Sequence, residues 1–342
     1  MFKFKFEKNL LDLDYCADYF IKSKVIIEEN MPNNSVTMQW FQREDNIILC
    51  GIEYILQFLK YQKISLKIEY LEDGETINSN EPVLKITGKY QDFCHFEGLF
   101  DGILARCSSI ATNTRQVSVA ANHKLVLNMA DRADIFHPFL MDGYASYVGG
   151  VDKLVTKAHY ASFDENIALS GTMPHSLIAS FGGDVVQAAD AYLNMYPKNE
   201  LICLVDYNND CITDSLLLAK NFKNKLKAVR IDTSKALIDK SLQNSKKKNI
   251  NGVSIELVKN LRQSLDQNGF EYVKIIVSSG FDAKTIAEFE ANNAPVDTYG
   301  VGEWLLRKRT SFTGDLVNLN GKKTAKFGRQ ELFSNRLKTV QI

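Results

Sequence analysis

Eight residues that close short apolar runs carry most of the chemistry this chain could do: Arg132, Asp206, Arg230, Asp232, Ser279, Gly280, Gly300 and Gly302. The runs are KLVLNMADR, LICLVDYNND, KAVRIDTS, VKIIVSSGFD and VDTYGVG. Two arginines can grip phosphate or carboxylate oxygens through paired N–H donors, and two carboxylates can face a divalent cation. Two glycine turns let backbone N–H groups approach an anion closely. Together they suit an anionic, phosphate-bearing substrate held with a divalent metal. A ninth candidate is His175 in SGTMPHSLI. Pro174 suits the first turn of a helix and would place the imidazole at that helix's positive end, where a histidine tends to stay neutral and nucleophilic.

Such residues must be brought together by the elements that carry them. From residue 124 onward the β-rich apolar runs alternate with amphipathic helical stretches, and their continuous apolar character predicts strands buried on both faces of a parallel sheet. Ser254 and Asp282 are candidate N-caps, and Gly269 a candidate residue just past a helix end. The expected architecture is a β/α barrel or an open α/β sheet, in which ligands bind at the carboxyl ends of the strands. Upstream, residues 35 to 62 mix a short strand with a helix. Period-2 alternation of Leu66, Ile68 and Tyr70, the Asp73-Gly74 turn and EPVLKITGKY predict antiparallel sheet over 65 to 90. From about Gln91 to Lys124, the spacing of Phe93, Phe96, Phe100, Ile103 and Leu104 predicts helix.

The 342 residues suffice for about two domains. At 45% apolar and 24% charged the chain is globular in composition. Lys plus Arg and Asp plus Glu both total 41, so no basic excess points to nucleic acid or an anionic membrane, and any anion site must be local. No apolar run approaches the roughly 20 residues of a membrane span, and MFKFKFEKNLLDLDY alternates Phe with Lys instead of forming a signal core, so the expected location is the cytoplasm. Six scattered cysteines without a CxxC pair argue against disulfides and structural zinc. His95, His123, His137 and His159 show no metal-ligand spacing and read as surface or core residues. GVGEWL has Leu305 where a dinucleotide fingerprint needs its third glycine, no P-loop motif occurs, and SKKKN reads as a solvated loop.

The segments EPVLKITGKYQDF, FEGLFDGILARCSSIAT, SGTMPHSLI, CLVDYNND, VRIDTS, VSSGFD and YGVGEWLL, taken in order, resemble the nicotinate phosphoribosyltransferases, within the type II group that includes the quinolinate and nicotinamide enzymes. The resemblance implies an α/β class protein: an N-terminal α/β (α+β) domain at 1–110, an irregular β/α barrel at 111–302 and a C-terminal return at 303–342 that packs on the first domain. It implies a homodimer with shared active sites. The implied reaction joins nicotinate to 5-phosphoribosyl 1-diphosphate, giving nicotinate mononucleotide and diphosphate for NAD salvage, with coupled ATP hydrolysis and Mg2+ carried by the diphosphate near Asp206 and Asp232.

The same resemblance implies that His175 accepts a phosphoryl group from ATP, that Asp206 and Asp232 lie near the ribose and metal, and that Arg132 and Arg230 bind substrate. Thr172 would be a phosphate ligand, and Ser279-Gly280 with Gly300-Val301-Gly302 would offer amides to the 5′-phosphate. Ala17-Asp18-Tyr19-Phe20 resembles an Asp-Tyr element whose ring stacks on the pyridine across the dimer interface, which makes Tyr19 the candidate. Where relatives carry Phe-Gly-x-Arg, this chain reads Met129-Ala130-Asp131-Arg132. Quinolinate enzymes follow a helix acid with an arginine for the extra carboxylate, whereas here Glu97 precedes Gly98, leaving such a carboxylate unpaired. The alternatives are a quinolinate or nicotinamide enzyme, or a homologue that binds without turnover.

Overall fold

The computed structural model describes residues 2–163, 169 and 173–342. Its first half is built on an antiparallel sheet in which Ser35–Phe41 is flanked by Pro82–Lys89 and Thr313–Leu319. Alternation along Ser35–Phe41 puts Val36, Met38 and Trp40 into the core. The hydroxyls of Thr37 and Thr87, paired in register, lie 2.8 Å apart. Ile68 faces Ile86 on one side and Val340 on the other, because the Lys338–Gln341 strand closes one end of this sheet. The strands expected over 65 to 90 are antiparallel, and among them Thr76–Ile77 pairs outside this sheet, with Ile47–Ile48.

Helix Ile52–Tyr61 packs Phe58 edge-on to Phe96 at 5.0 Å. Its N-terminus has no cap of its own. Half-buried Asp73 supplies one from the turn at 73–74, accepting from Ile52 N at 2.9 Å and Glu53 N at 3.0 Å, with the Tyr144 hydroxyl donating at 2.7 Å. Burial pushes the Asp73 carboxyl up, and these donors oppose the rise.

The second half is a six-stranded parallel sheet. In spatial order its strands are Lys153–Leu154, Leu125–Asn128, Thr298–Val301, Lys274–Val277, Leu226–Ile231 and Leu201–Leu204. Helices Val185–Met195, Cys211–Phe222, Ile255–Gln267 and Ala283–Ala291 alternate with the later strands. This is an incomplete, irregular β/α barrel: the strands run in parallel but the sheet stays open among the described residues, with six strands in place of about eight. Ser254 Oγ accepts from Leu257 N and Asp282 Oδ1 from Thr285 N, and Gly269 takes φ +77 as Phe270 N closes back on Leu265 O.

One helix joins the two halves. Glu97–Ala120 has 24 residues, roughly 36 Å of axis. It puts Phe100 and Leu104 into the first core, Cys107, Ile110 and Ala111 into a middle cluster, and Val117 into the second core. Helix Phe139–Gly149 crosses it closely, since a Cβ on Gly149 would sit 2.5 Å from Thr114 Cβ. Arg106 donates to both Asp142 oxygens, at 2.7 and 2.8 Å, and to Asp134 at 3.2 Å.

Phe100 is fully buried, so Phe100→Ala should cost about 3–5 kcal/mol in denaturant unfolding. At the start of the long helix, burial pushes Glu97 and Asp101 up to about 7 from ordinary values of 4.5 and 3.8, and the Asp315 carboxylate adds to both. The folded chain therefore holds these protons more tightly than the unfolded chain, and stability falls as pH rises from about 4 to about 7. The double variant Glu97→Gln, Asp101→Asn should lose less in thermal midpoint than the wild type between about pH 5 and about pH 8.

Candidate functional site

All six parallel strands end on the same side, and the loops that leave them enclose a cavity of about 1050 Å³. Arg132, His175, Arg230, Asp232, Ser279, Gly280, Gly300 and Gly302 line it. Asp206 is absent from the wall but touches a residue that forms it. Tyr19 is elsewhere, exposed on helix Asp18–Asn30, so one copy of the chain does not bring it to the cavity. Thr172 lies outside the described residues.

Strand periodicity explains the central pair. Val229 and Ile231 turn into the core, and Arg230 and Asp232, two residues apart, share the other face. The Arg230 guanidinium lies 3.7 Å from Asp232, whose Oδ1 accepts from Ser278 Oγ at 2.6 Å. Burial lowers the Arg230 pKa, with Arg132 adding and the Asp232 and Asp206 carboxylates opposing. Arg230 Nε is buried without a hydrogen-bond partner among the described residues, an uncommon condition for a guanidinium. A ligand oxygen would satisfy it.

His175 is the first residue of the short helix His175–Ser180, with Pro174 at its cap position. Its Nε2 lies 3.1 and 3.0 Å from the two Asp206 oxygens. Burial is the largest influence on Asp206 and raises it, His175 opposes, and the charge of Asp232 adds to the rise. The helix-end reading of His175 did not include this carboxylate. Accepting Nε2–H fixes the ring's orientation and tautomer, leaving Nδ1 as the nitrogen with a lone pair in the neutral ring.

The glycines divide by role. Ser279 and Gly280 both take left-handed φ, +77 and +76, so the chain turns sharply after Lys274–Val277. Gly300 lies within its strand, and a Cβ there would come 2.7 Å from Met129 Sδ; one on Gly302 would come 3.0 Å from Met129 O. The bare strand end thus makes room for Met129, which occupies the wall where the sequence departs from Phe-Gly.

Sequence reasoning missed Ser278, Lys235, Asp131, Trp304 and Arg307, all in the wall. The signal for Ser278 was its place at the immediate end of an apolar run. Lys235 stands three residues beyond Asp232, where only the strand end was read. Among the described residues, no three His, Cys, Asp or Glu side chains are gathered as a metal centre, and no helix is long and apolar enough to cross a membrane.

Residues 19–108 match a family model described as quinolinate phosphoribosyl transferase, N-terminal domain. The nicotinate phosphoribosyltransferase pncB2 of Mycobacterium tuberculosis is 27% identical over 281 residues, 76% of this chain and 55% of its own. The chain spans about half the length of the curated relatives it matches. Among solved structures, nicotinate-nucleotide pyrophosphorylase from Pyrococcus furiosus has a TM-score of 0.82 at 26% identity, covering 99% of this chain and 85% of that one. Human nicotinic acid phosphoribosyltransferase shares the fold at 17% identity and a TM-score of 0.71, covering 90% and 76%. The likeness extends over nearly the whole chain in fold and reaches about a quarter identity in sequence, so the chain is similar throughout to the type II phosphoribosyltransferases.

Proposed function

We propose that this chain is a nicotinate phosphoribosyltransferase: it joins nicotinate to 5-phosphoribosyl 1-diphosphate, releasing nicotinate mononucleotide and diphosphate, with ATP hydrolysis coupled through His175, as a step of NAD salvage in the cytoplasm. The observation that carries this is the convergence of Arg230–Asp232 and His175–Asp206 at one end of the parallel sheet. The relatives' names support the choice of base.

Transfer at the anomeric carbon builds positive charge on the ribose, and Asp232, fixed by Ser278 and backed by Asp206, faces it with a carboxylate whose orientation is set in advance. Arg230 and Arg132 would hold the anionic groups of the substrates, Arg230 through its unpaired Nε. His175, held by Asp206, would attack the γ-phosphorus of ATP through Nδ1 as the bond to ADP breaks, and water would later release phosphate. Magnesium fits as a passenger on the diphosphate, since it keeps substrate oxygens and waters as ligands and, among the described residues, no third His, Cys, Asp or Glu joins the two aspartates. Bound there, it would neutralise charge on the leaving group. Tyr19 would stack on the pyridine of a second copy's site in a homodimer, consistent with its exposure.

Gly98 favours nicotinate over quinolinate: the residue after Glu97 carries no arginine side chain for a second carboxylate, although a Cβ there would make only ordinary contact, 3.6 Å, with Phe20 Cε2. The quinolinate name of the family model keeps that reading as the rival. Incubation with 5-phosphoribosyl 1-diphosphate, magnesium and either nicotinate, nicotinamide or quinolinate, with and without ATP, should give mononucleotide from nicotinate in ATP-stimulated yield. Product from quinolinate alone would reassign the base. His175→Ala should retain basal transfer and lose ATP stimulation and ADP formation; unchanged stimulation would remove His175 from the coupling. Asp232→Asn should lower kcat by about a hundredfold or more while the thermal midpoint stays near wild type. An equal loss of stability would make Asp232 structural.

A further inference from the structure

The cavity wall holds a cation that the reading above leaves without a task. Lys235 sits on the loop leaving the Leu226–Ile231 strand, and its ammonium donates to the Gly280 carbonyl at 3.1 Å. Two glycines bracket it. A Cβ on Gly280 would lie 3.2 Å from Lys235 Cε and 3.3 Å from Nζ, so the bare turn is what lets the ammonium approach. A Cβ on Gly252 would lie 3.0 Å from Lys235 Cα, and Gly252 N closes the excursion by donating to Leu237 O at 2.8 Å. The lysine is therefore packed at both its backbone and its tip. One carbonyl uses one of its three N–H donors, and the others are available for an anion at the Ser279–Gly280 turn.

Strand order decides which anion. Asp232 ends the strand lying between the one that leads to Asp206, the partner of His175, and the one that leads to Ser279 and Gly280. A group bound by the Gly280 turn is thus on the far side of the reacting carbon's carboxylate from the phosphoryl-accepting histidine. We infer that Lys235 is a binding residue for the 5′-phosphomonoester of the ribosyl substrate, its ammonium closing with the Ser279–Gly280 turn on that phosphate. This rests on the phosphoribosyltransferase reading and adds a residue to it.

Calorimetric titration of ribose 5-phosphate and, separately, magnesium diphosphate into the intact protein tests it. Lys235→Met should weaken ribose 5-phosphate about ten- to a hundredfold, the loss of a charge-assisted hydrogen bond, and leave diphosphate affinity unchanged. Lys235→Arg should restore most of the loss. Unchanged ribose 5-phosphate affinity in Lys235→Met would overturn the inference. So would a selective loss of diphosphate, which would move the lysine to the leaving group, or a parallel loss of both ligands, which would make it structural. A wild-type protein that binds neither ligand would sink the phosphoribosyltransferase reading itself.

Discussion

The long helix Glu97–Ala120 is buried on faces that are not apolar. Ser108, Ser109, Thr112 and Asn113 lie inside the protein, where a hydroxyl or amide without a partner costs about 1–3 kcal/mol. Ser109 and Thr112 donate to carbonyls of their own helix, and all four residues also bond to other segments. Thr112 accepts from Ile48 N and Ser108 from Cys50 N, tying the helix to the chain ahead of Ile52–Tyr61. Asn113 donates to the carbonyls of Leu305 and Lys308, and Ser109 accepts from Thr310 N, capturing the chain as it leaves the parallel sheet. These bonds tie one helix both to the chain ahead of Ile52–Tyr61 and to the chain that leaves the parallel sheet, and so help to fix where the two sheets stand relative to one another.

At the cavity, the same economy of partners operates with charge. Burial pushes Asp206 up and Arg230 down, while His175 restrains the first and the Asp232 and Asp206 carboxylates restrain the second. Within this group Arg230 keeps a buried Nε with no hydrogen-bond partner among the described residues. A site held in this state is more complementary to an anionic substrate than to water. Arg106 extends the order outward: by holding Asp134 it anchors the loop that carries Arg132 to the long helix.

Much of the fold was legible because its signals are local. KAVRIDTS reads as a buried strand with polar residues at its end, and its period places Arg230 and Asp232 on one face whatever surrounds them. Ser254 and Asp282 cap helices that begin beside them. What could not be read depends on residues distant in sequence. The cap of Ile52–Tyr61 comes from Asp73, some twenty residues on, and His175 meets Asp206 across 31 positions. Gly300 drew notice as a backbone donor, but the space above it belongs to Met129, which only the packed sheet reveals. Lys235 was invisible for the same reason, because its significance depends on Gly252 and Gly280 converging on it.

The antiparallel sheet draws strands from both ends of the sequence, with Thr313–Leu319 against Ser35–Phe41 and Lys338–Gln341 against Lys67–Tyr70. During synthesis, Ser35–Phe41 and Lys67–Tyr70 each have an unpaired edge until more than two hundred further residues are made, a wait on the order of ten to fifty seconds at ribosomal speeds. The parallel sheet needs nothing beyond Val301. The half of the molecule that emerges first is therefore the half that can finish last, with exposed strand edges in the interval, the condition under which nascent chains pair with one another or engage chaperones.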